Sequence, residues 1–158
     1  MLVKQMGRPR CPSPPAPVPA VFLKMVTPTS NQQALRAAFE PLSDLHERLS
    51  LIISACAGPG LPEHVRLEGD LVPGCLSRVW LRRTGPEKVL HLEWDAESPL
   101  VRGLAGLICQ VYQDSAPVEA LAFRSRILPA LGLDRLLSPT RLRGLAAMEV
   151  RIQQLASA

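Results

Sequence analysis

The sequence predicts an α+β fold, a small antiparallel sheet of about three strands covered by helices, and three observations lead there. A period-two stretch from Ser77 to Trp94 is broken once by turn residues. Apolar stripes at helical spacing, opened by capping residues, occupy most of the chain on either side of it. At 158 residues the chain is long enough to bury one ordinary core without disulfide or metal staples.

Residues 1–29 are set apart by seven prolines, five of them between Pro12 and Pro19. Such a stretch favours a solvated, extended chain over a packed element, so it is expected to be a disordered tail ahead of a domain spanning 30–158. Its lack of acids suits an organelle transit peptide, whereas its prolines do not. A third reading takes Met25 as the true start. All three stay open.

Within the domain, Leu35 and Phe39 mark a first helix over Ser30–Glu40, ended by Pro41. Ser43 or Asp44 caps a second, whose stripe of Leu45, Leu49, Ile52, Ile53 and Cys56 stops at Gly58, Pro59 and Gly60. Residues 58–74 read as a long connection, with Val65–Val72 able to add a third strand. In the hairpin, Val79 and Leu81 alternate with Arg78, Trp80 and Arg82, and Leu90, Leu92 and Trp94 alternate with His91 and Glu93. Thr84, Gly85, Pro86 and Glu87 turn the chain between the two runs. A two-stranded ribbon is marginal alone, so it must lie on helices. Ser98-Pro99 opens a helix with Leu100, Val101, Leu104, Leu107, Ile108, Val111 and Tyr112 on one face. Ser138-Pro139 opens another with Leu142, Leu145, Met148, Ile152 and Leu155. Two shorter helical pieces fill Pro117–Leu133. Gly103 and Gly144 sit inside helices, where glycine costs ~1 kcal/mol relative to alanine, which implies close approach of another backbone.

Charge and composition remove several function classes. The net charge of +4 comes from the first 39 residues, which hold Lys4, Arg8, Arg10, Lys24 and Arg36 and no acid. Residues 40–158 contain 13 basic and 14 acidic side chains, so the folding part is close to neutral. With six aromatics in all there is no stacking platform, and nucleic acid is not an expected partner. No apolar run approaches the ~18 residues of a membrane span, so no membrane partner is expected either. No glycine-rich phosphate loop and no nucleophile elbow occurs.

The chemistry left to consider is that of the cysteines, at positions 11, 56, 75 and 109. No two are close enough for a C-x-x-C motif, and with the three histidines they match no zinc pattern, so free thiols in a reducing compartment are expected. Cys11 lies in the tail, Cys56 on a buried stripe and Cys109 on a helix flank. Cys75 differs. It follows Pro73-Gly74, which bends the chain, in the loop Leu71-Val72-Pro73-Gly74-Cys75-Leu76-Ser77 directly before the first strand. A hydrolase-type thiol needs a histidine to take its proton. His46, His64 and His91 do not obviously supply one, although a thiol-dependent enzyme or redox sensor pairing Cys75 with one of them stays open. At its ordinary pKa a cysteine is only ~3% thiolate at pH 7, and an apolar loop lowers that further. Such a thiol suits delivery into a partner's active site, as a carrier's would.

The segments VPGCLSRVWL (72–81), SPLVRGL (98–104) and LSPTRLRGLAAM (137–148), in this order, resemble the SufE family of sulfur-acceptor proteins. The resemblance spans roughly residues 45–156 and implies a SufE-like fold. It also implies that Cys75 accepts persulfide sulfur from a group II cysteine desulfurase of SufS or CsdA type, stimulates that enzyme, and passes sulfur toward an iron–sulfur scaffold. It implies a carrier without metal or other cofactor rather than an enzyme, and a cytoplasmic setting, or a plastid one if the tail is a transit peptide. Val72, Pro73, Gly74, Leu76, Ser77 and Trp80 become loop or pocket residues. Arg141 matches the family's arginine after Ser-Pro-x and is expected to pair with a carboxylate or loop carbonyls, and Glu97 matches an acidic position before the long helix. Two departures stand out: Leu76 replaces a common glutamine, and Ala55–Gly60 lacks the usual Glu-Leu-Gly pattern.

Overall fold

The computed structural model describes residues 26–158, and residues 1–25 of the expected 1–29 tail lie outside them. Thr27 caps α1 (Pro28–Phe39) in a reciprocal box with Ser30, with Pro28 in the first turn. The helix therefore begins two residues earlier than its apolar spacing suggests. Asp44 accepts hydrogen bonds from the backbone N–H groups of His46 and Glu47 to start α2 (Leu45–Cys56). On α2, buried Arg48 donates to the carbonyls of Glu40, Leu42 and Leu131 at 3.0, 2.9 and 2.6 Å. These bonds use the carbonyls that the end of α1 leaves unpaired and tie them to the 131 turn.

Two strands pair antiparallel, β1 (Val79–Thr84) with β2 (His91–Ala96), in the register Val79↔Ala96, Leu81↔Trp94, Arg83↔Leu92. The expected third strand is absent. Residues 65–72 instead form 3₁₀ turns at Glu63–Val65 and Glu68–Asp70, and only Leu71 bridges to Trp80. Glu68-Gly69-Asp70 is turn chemistry that interrupts any ladder.

The ribbon rests on α3 (Pro99–Tyr112), capped by Ser98. Every residue from Gly103 to Cys109 is buried, which identifies α3 as the central helix, packed against α2, β2, α1 and α6 (Pro139–Ser157). Two glycines permit this. A Cβ on Gly103 would stand 2.5 Å from Ile53 Cα, and one on Gly106 would stand 1.7 Å from the Cys56 carbonyl oxygen. The close backbone approach expected at Gly103 is thus that of α2, and Gly106 extends it by a turn. The short helices α4 (Pro117–Ala122) and α5 (Ile127–Ala130) lead into α6, which Ser138 caps as Ser98 caps α3.

Asp95 joins the hairpin to the connection after α2. Its buried carboxylate accepts from Leu61 N (2.9 Å), from Arg66 Nε and a terminal nitrogen (3.0 and 2.7 Å), and from Ala96 N (2.8 Å). Arg102 completes the set at 3.6 Å. Burial alone would push this carboxyl up; the hydrogen bonds from Leu61, Arg66 and Ala96 outweigh it and hold Asp95 below the usual carboxylate range.

Candidate functional site

Gly74, at φ +87°, takes a left-handed turn that L side chains avoid, and the chain beyond it drops Cys75 against α6. The Cys75 thiol donates to the carbonyl of Gly144 at 3.4 Å. The approach leaves room at 144 for little beyond a Cβ, which would lie in ordinary contact at 3.4 Å from Cys75 Sγ and 3.7 Å from its Cα. Among the described residues no backbone N–H of residues 74–78 donates in a turn or loop contact, and the flanking tie is Val72 N to Val79 O at 2.9 Å.

Beside the sulfur opens a cavity of about 150 Å³, a size that in an apolar interior holds a benzene-sized guest. Val101 and Leu104 of α3 and Leu145 and Met148 of α6 form its apolar wall, while Ser77, Ser98, Thr140 and Arg141 supply polar groups. Burial pushes the Cys75 thiol up from its ordinary pKa. Cys75 is therefore a protonated, half-buried sulfur next to a space that can receive one more atom.

Of the residues named from sequence, the cavity brings together Cys75, Leu76, Ser77 and Arg141. Pro73 and Gly74 form the exposed turn, and Val72 is buried in the core. Trp80 is also buried, contrary to its place on the polar side of the alternation. The guanidinium groups of Arg66 and Arg78 each lie 5.1 Å from its ring centroid and cover it. Glu97 is exposed, away from the cavity lining, and its backbone N–H donates to Arg78 O at 3.1 Å. The expected pairing of Arg141 is not found. Its side chain is exposed and makes no ion pair or hydrogen bond with any described residue, because it projects from the first turn of α6 at the cavity edge.

Sequence reasoning missed Ser98, Val101, Leu104, Thr140, Leu145 and Met148 as cavity residues. Only Gly144 gave a signal, as a glycine inside a helix. None of the three histidines lines the cavity. His91 Nδ1 is instead 3.0 Å from Asp114 and 2.9 Å from Gln113. The imidazole that a thiol–histidine enzyme requires is thus missing from the lining. Cys56 and Cys109 are buried, and burial raises both thiols, that of Cys56 to about 11. Among the described residues no three His, Cys, Asp or Glu side chains cluster as metal ligands, and no helix is long and apolar enough to cross a membrane.

The family model for SufE, described as an Fe-S metabolism associated domain, matches residues 33–156. The chain belongs to the SufE family. It is 31% identical over 147 residues to a SufE-like protein of Mycobacterium tuberculosis, covering 89% of this chain and 94% of that one. It is also 31% identical over 127 residues to the sulfur acceptor protein CsdE of Escherichia coli, covering 78% of this chain and 86% of the relative. A solution structure of a hypothetical protein from Thermus thermophilus superposes with a TM-score of 0.66 at 24% identity, covering 84% of this chain and 96% of that one. That likeness bears on the fold alone, an α+β fold with two strands among the described residues where about three are expected.

Proposed function

We propose that this SufE-family protein is a sulfur acceptor whose Cys75 takes persulfide sulfur from a group II cysteine desulfurase and passes it on for iron–sulfur cluster assembly. The observation carrying this reading is the Cys75 sulfur, half-buried at an apolar cavity with no histidine in its lining. The Cys75 thiolate attacks the outer sulfur of the desulfurase persulfide. A new S–S bond forms at Cys75, the old one breaks, and the desulfurase cysteine leaves as a thiolate that picks up the proton Cys75 lost. No net oxidation occurs, since the sulfane sulfur moves unchanged. Clearing the persulfide frees the desulfurase for another turnover, which is how the acceptor stimulates it.

The raised pKa of Cys75 fits this division of labour. At rest the thiol is protected by its protonation, and ionisation awaits the partner's surroundings. After transfer the apolar wall screens the sulfur from small thiols until a scaffold draws it out. These events belong, in this proposal, to the cytoplasm, where a reducing poise keeps the acceptor thiol available.

The test is to incubate the protein with a group II desulfurase and cysteine and to measure, by mass spectrometry, the gain of one sulfur atom on the Cys75 peptide. Cys56→Ser is expected to retain the gain and Cys75→Ser to lose it. Sulfur uptake that persists in Cys75→Ser would overturn the assignment.

A further inference from the structure

We propose that Leu76 is a specificity determinant of sulfur uptake, a projecting side chain that seats in an apolar recess on the desulfurase face delivering sulfur to Cys75. The inference rests on the sulfur-acceptor reading and adds to it the shape and chemistry of the partner's surface.

Leu76 is 88% exposed, ahead of Val118 at 71%, Val150 at 57% and Leu67 at 56%. An isolated exposed leucine needs no explanation by itself; its position supplies one. Consecutive Cα atoms are about 3.8 Å apart, and sulfur transfer requires the two sulfurs to approach to roughly the 2 Å of an S–S bond. Any macromolecule delivering sulfur to Cys75 must therefore lie over Leu76. Among the described residues the Leu76 side chain stays largely uncovered, at the rim of the cavity, while Cys75 beside it packs on Gly144. Among the described residues no backbone tie in a turn or loop contact starts from the N–H of Leu76.

The edge of the same cavity defines the rest of the footprint. Arg141 is exposed and unpaired among the described residues, so the surface that covers Leu76 has to offer an acceptor beside its recess. An apolar anchor next to an arginine is the composition of an interface hot spot. A desulfurase with a polar or filled surface at this point leaves Leu76 in water and Arg141 unmatched, and is discriminated against.

The experiment measures KM and kcat of the desulfurase with the full-length protein as acceptor, for wild type, Leu76→Asp, Leu76→Gln and Leu76→Met. In parallel, each protein is loaded on Cys75 with inorganic polysulfide, which needs no docking surface. Because Leu76 faces solvent, the variants are expected to melt as wild type does. Expected is a rise in KM of roughly tenfold to a hundredfold for Leu76→Asp, a smaller rise for Leu76→Gln, and a value within about threefold of wild type for Leu76→Met. The change in KM should exceed any change in kcat or in the polysulfide loading of Cys75, which Leu76 adjoins in the cavity lining. An unaltered KM in Leu76→Asp overturns the proposal. So does an unaltered KM combined with faster loss of the Cys75 persulfide to dithiothreitol, which would make Leu76 a cover for its own cavity. Wild-type protein that accepts polysulfide but no sulfur from any desulfurase overturns the acceptor reading itself.

Discussion

Substitutions at Gly144 separate the stability of α6 from the placement of the thiol. Gly144→Ala puts a methyl 3.4 Å from Cys75 Sγ, 3.7 Å from its Cα and 3.9 Å from its Cβ, at the near edge of ordinary van der Waals contact. In the interior of a 19-residue helix the change from glycine to alanine favours folding by ~1 kcal/mol. That gain outweighs the small adjustment asked of a loosely tied loop. The expected outcome is a Tm about 2–4 °C above wild type and slower alkylation of Cys75 by iodoacetamide, since the sulfur loses solvent. Gly144→Leu reverses the second effect. Its Cβ already stands in contact with Cys75 Sγ, Cα and Cβ, so the added bulk of leucine is expected to press on the loop and displace it. Overpacking of a fixed core costs about 1–3 kcal/mol, but here the cost is limited to the weak thiol–carbonyl contact and the cavity-side packing of one half-buried cysteine. The leucine variant should stay folded and alkylate faster than wild type. Equal alkylation rates in wild type, alanine and leucine variants would refute the packing of Cys75 on α6.

The remaining predictions concern the core and two titrating groups. Gly106→Ala should lower stability by more than about 3 kcal/mol, read as a collapse of Tm, because its Cβ would enter the Cys56 carbonyl at 1.7 Å and α2 cannot retreat without opening the core. Burial raises the Cys75 pKa, so its alkylation rate should climb tenfold per pH unit through neutrality and level off only above the range of an ordinary thiol, ~8.5; a plateau below that range would contradict the burial. Asp95 is held low by its hydrogen bonds, so its contribution to stability is complete above the unfolded carboxyl pKa of ~4 and disappears as pH falls through the lower folded value. Asp95→Asn should cost about 2 kcal/mol at pH 7, measured by urea denaturation, and should flatten the acid limb of the stability profile.

Local signals survived from sequence to structure, and signals that depend on a distant neighbour did not. The openings Ser98-Pro99 and Ser138-Pro139 start helices as expected because a cap is decided within four residues: each serine accepts from the N–H three positions on, Val101 and Arg141 respectively. The hairpin survived for the same reason. The exception is the third strand over 65–72, which does not form because a local turn at Glu68-Gly69-Asp70 interrupts its apolar positions. Trp80, expected as a loop or pocket residue, lies in β1 outside the cavity lining, and its burial comes from Arg66, fourteen positions away, closing over the ring together with Arg78.

The site itself divides along the same line. Cys75 was legible because a Pro-Gly bend before a strand is local, and because the motif around it is distinctive. Its cavity was not legible, since Val101, Leu104, Leu145 and Met148 carry the same periodicity as any core stripe. Periodicity reports which face of a helix avoids water, not whether the opposing surface fills the space. Here α3 and α6 meet at a place where the loop offers one cysteine instead of a large side chain. The unfilled volume is thus a property of three segments distant in sequence. Gly144 is the exception that links the two levels. A glycine inside a helix is visible in the chain alone as a local loss of helix propensity, and the structure shows what occupies the space it leaves: the sulfur of Cys75, 3.4 Å from where a Cβ would stand. Alanine fits there at ordinary contact distance, so it is side chains longer than alanine at 144 that should act on the chemistry of Cys75 before they act on the fold.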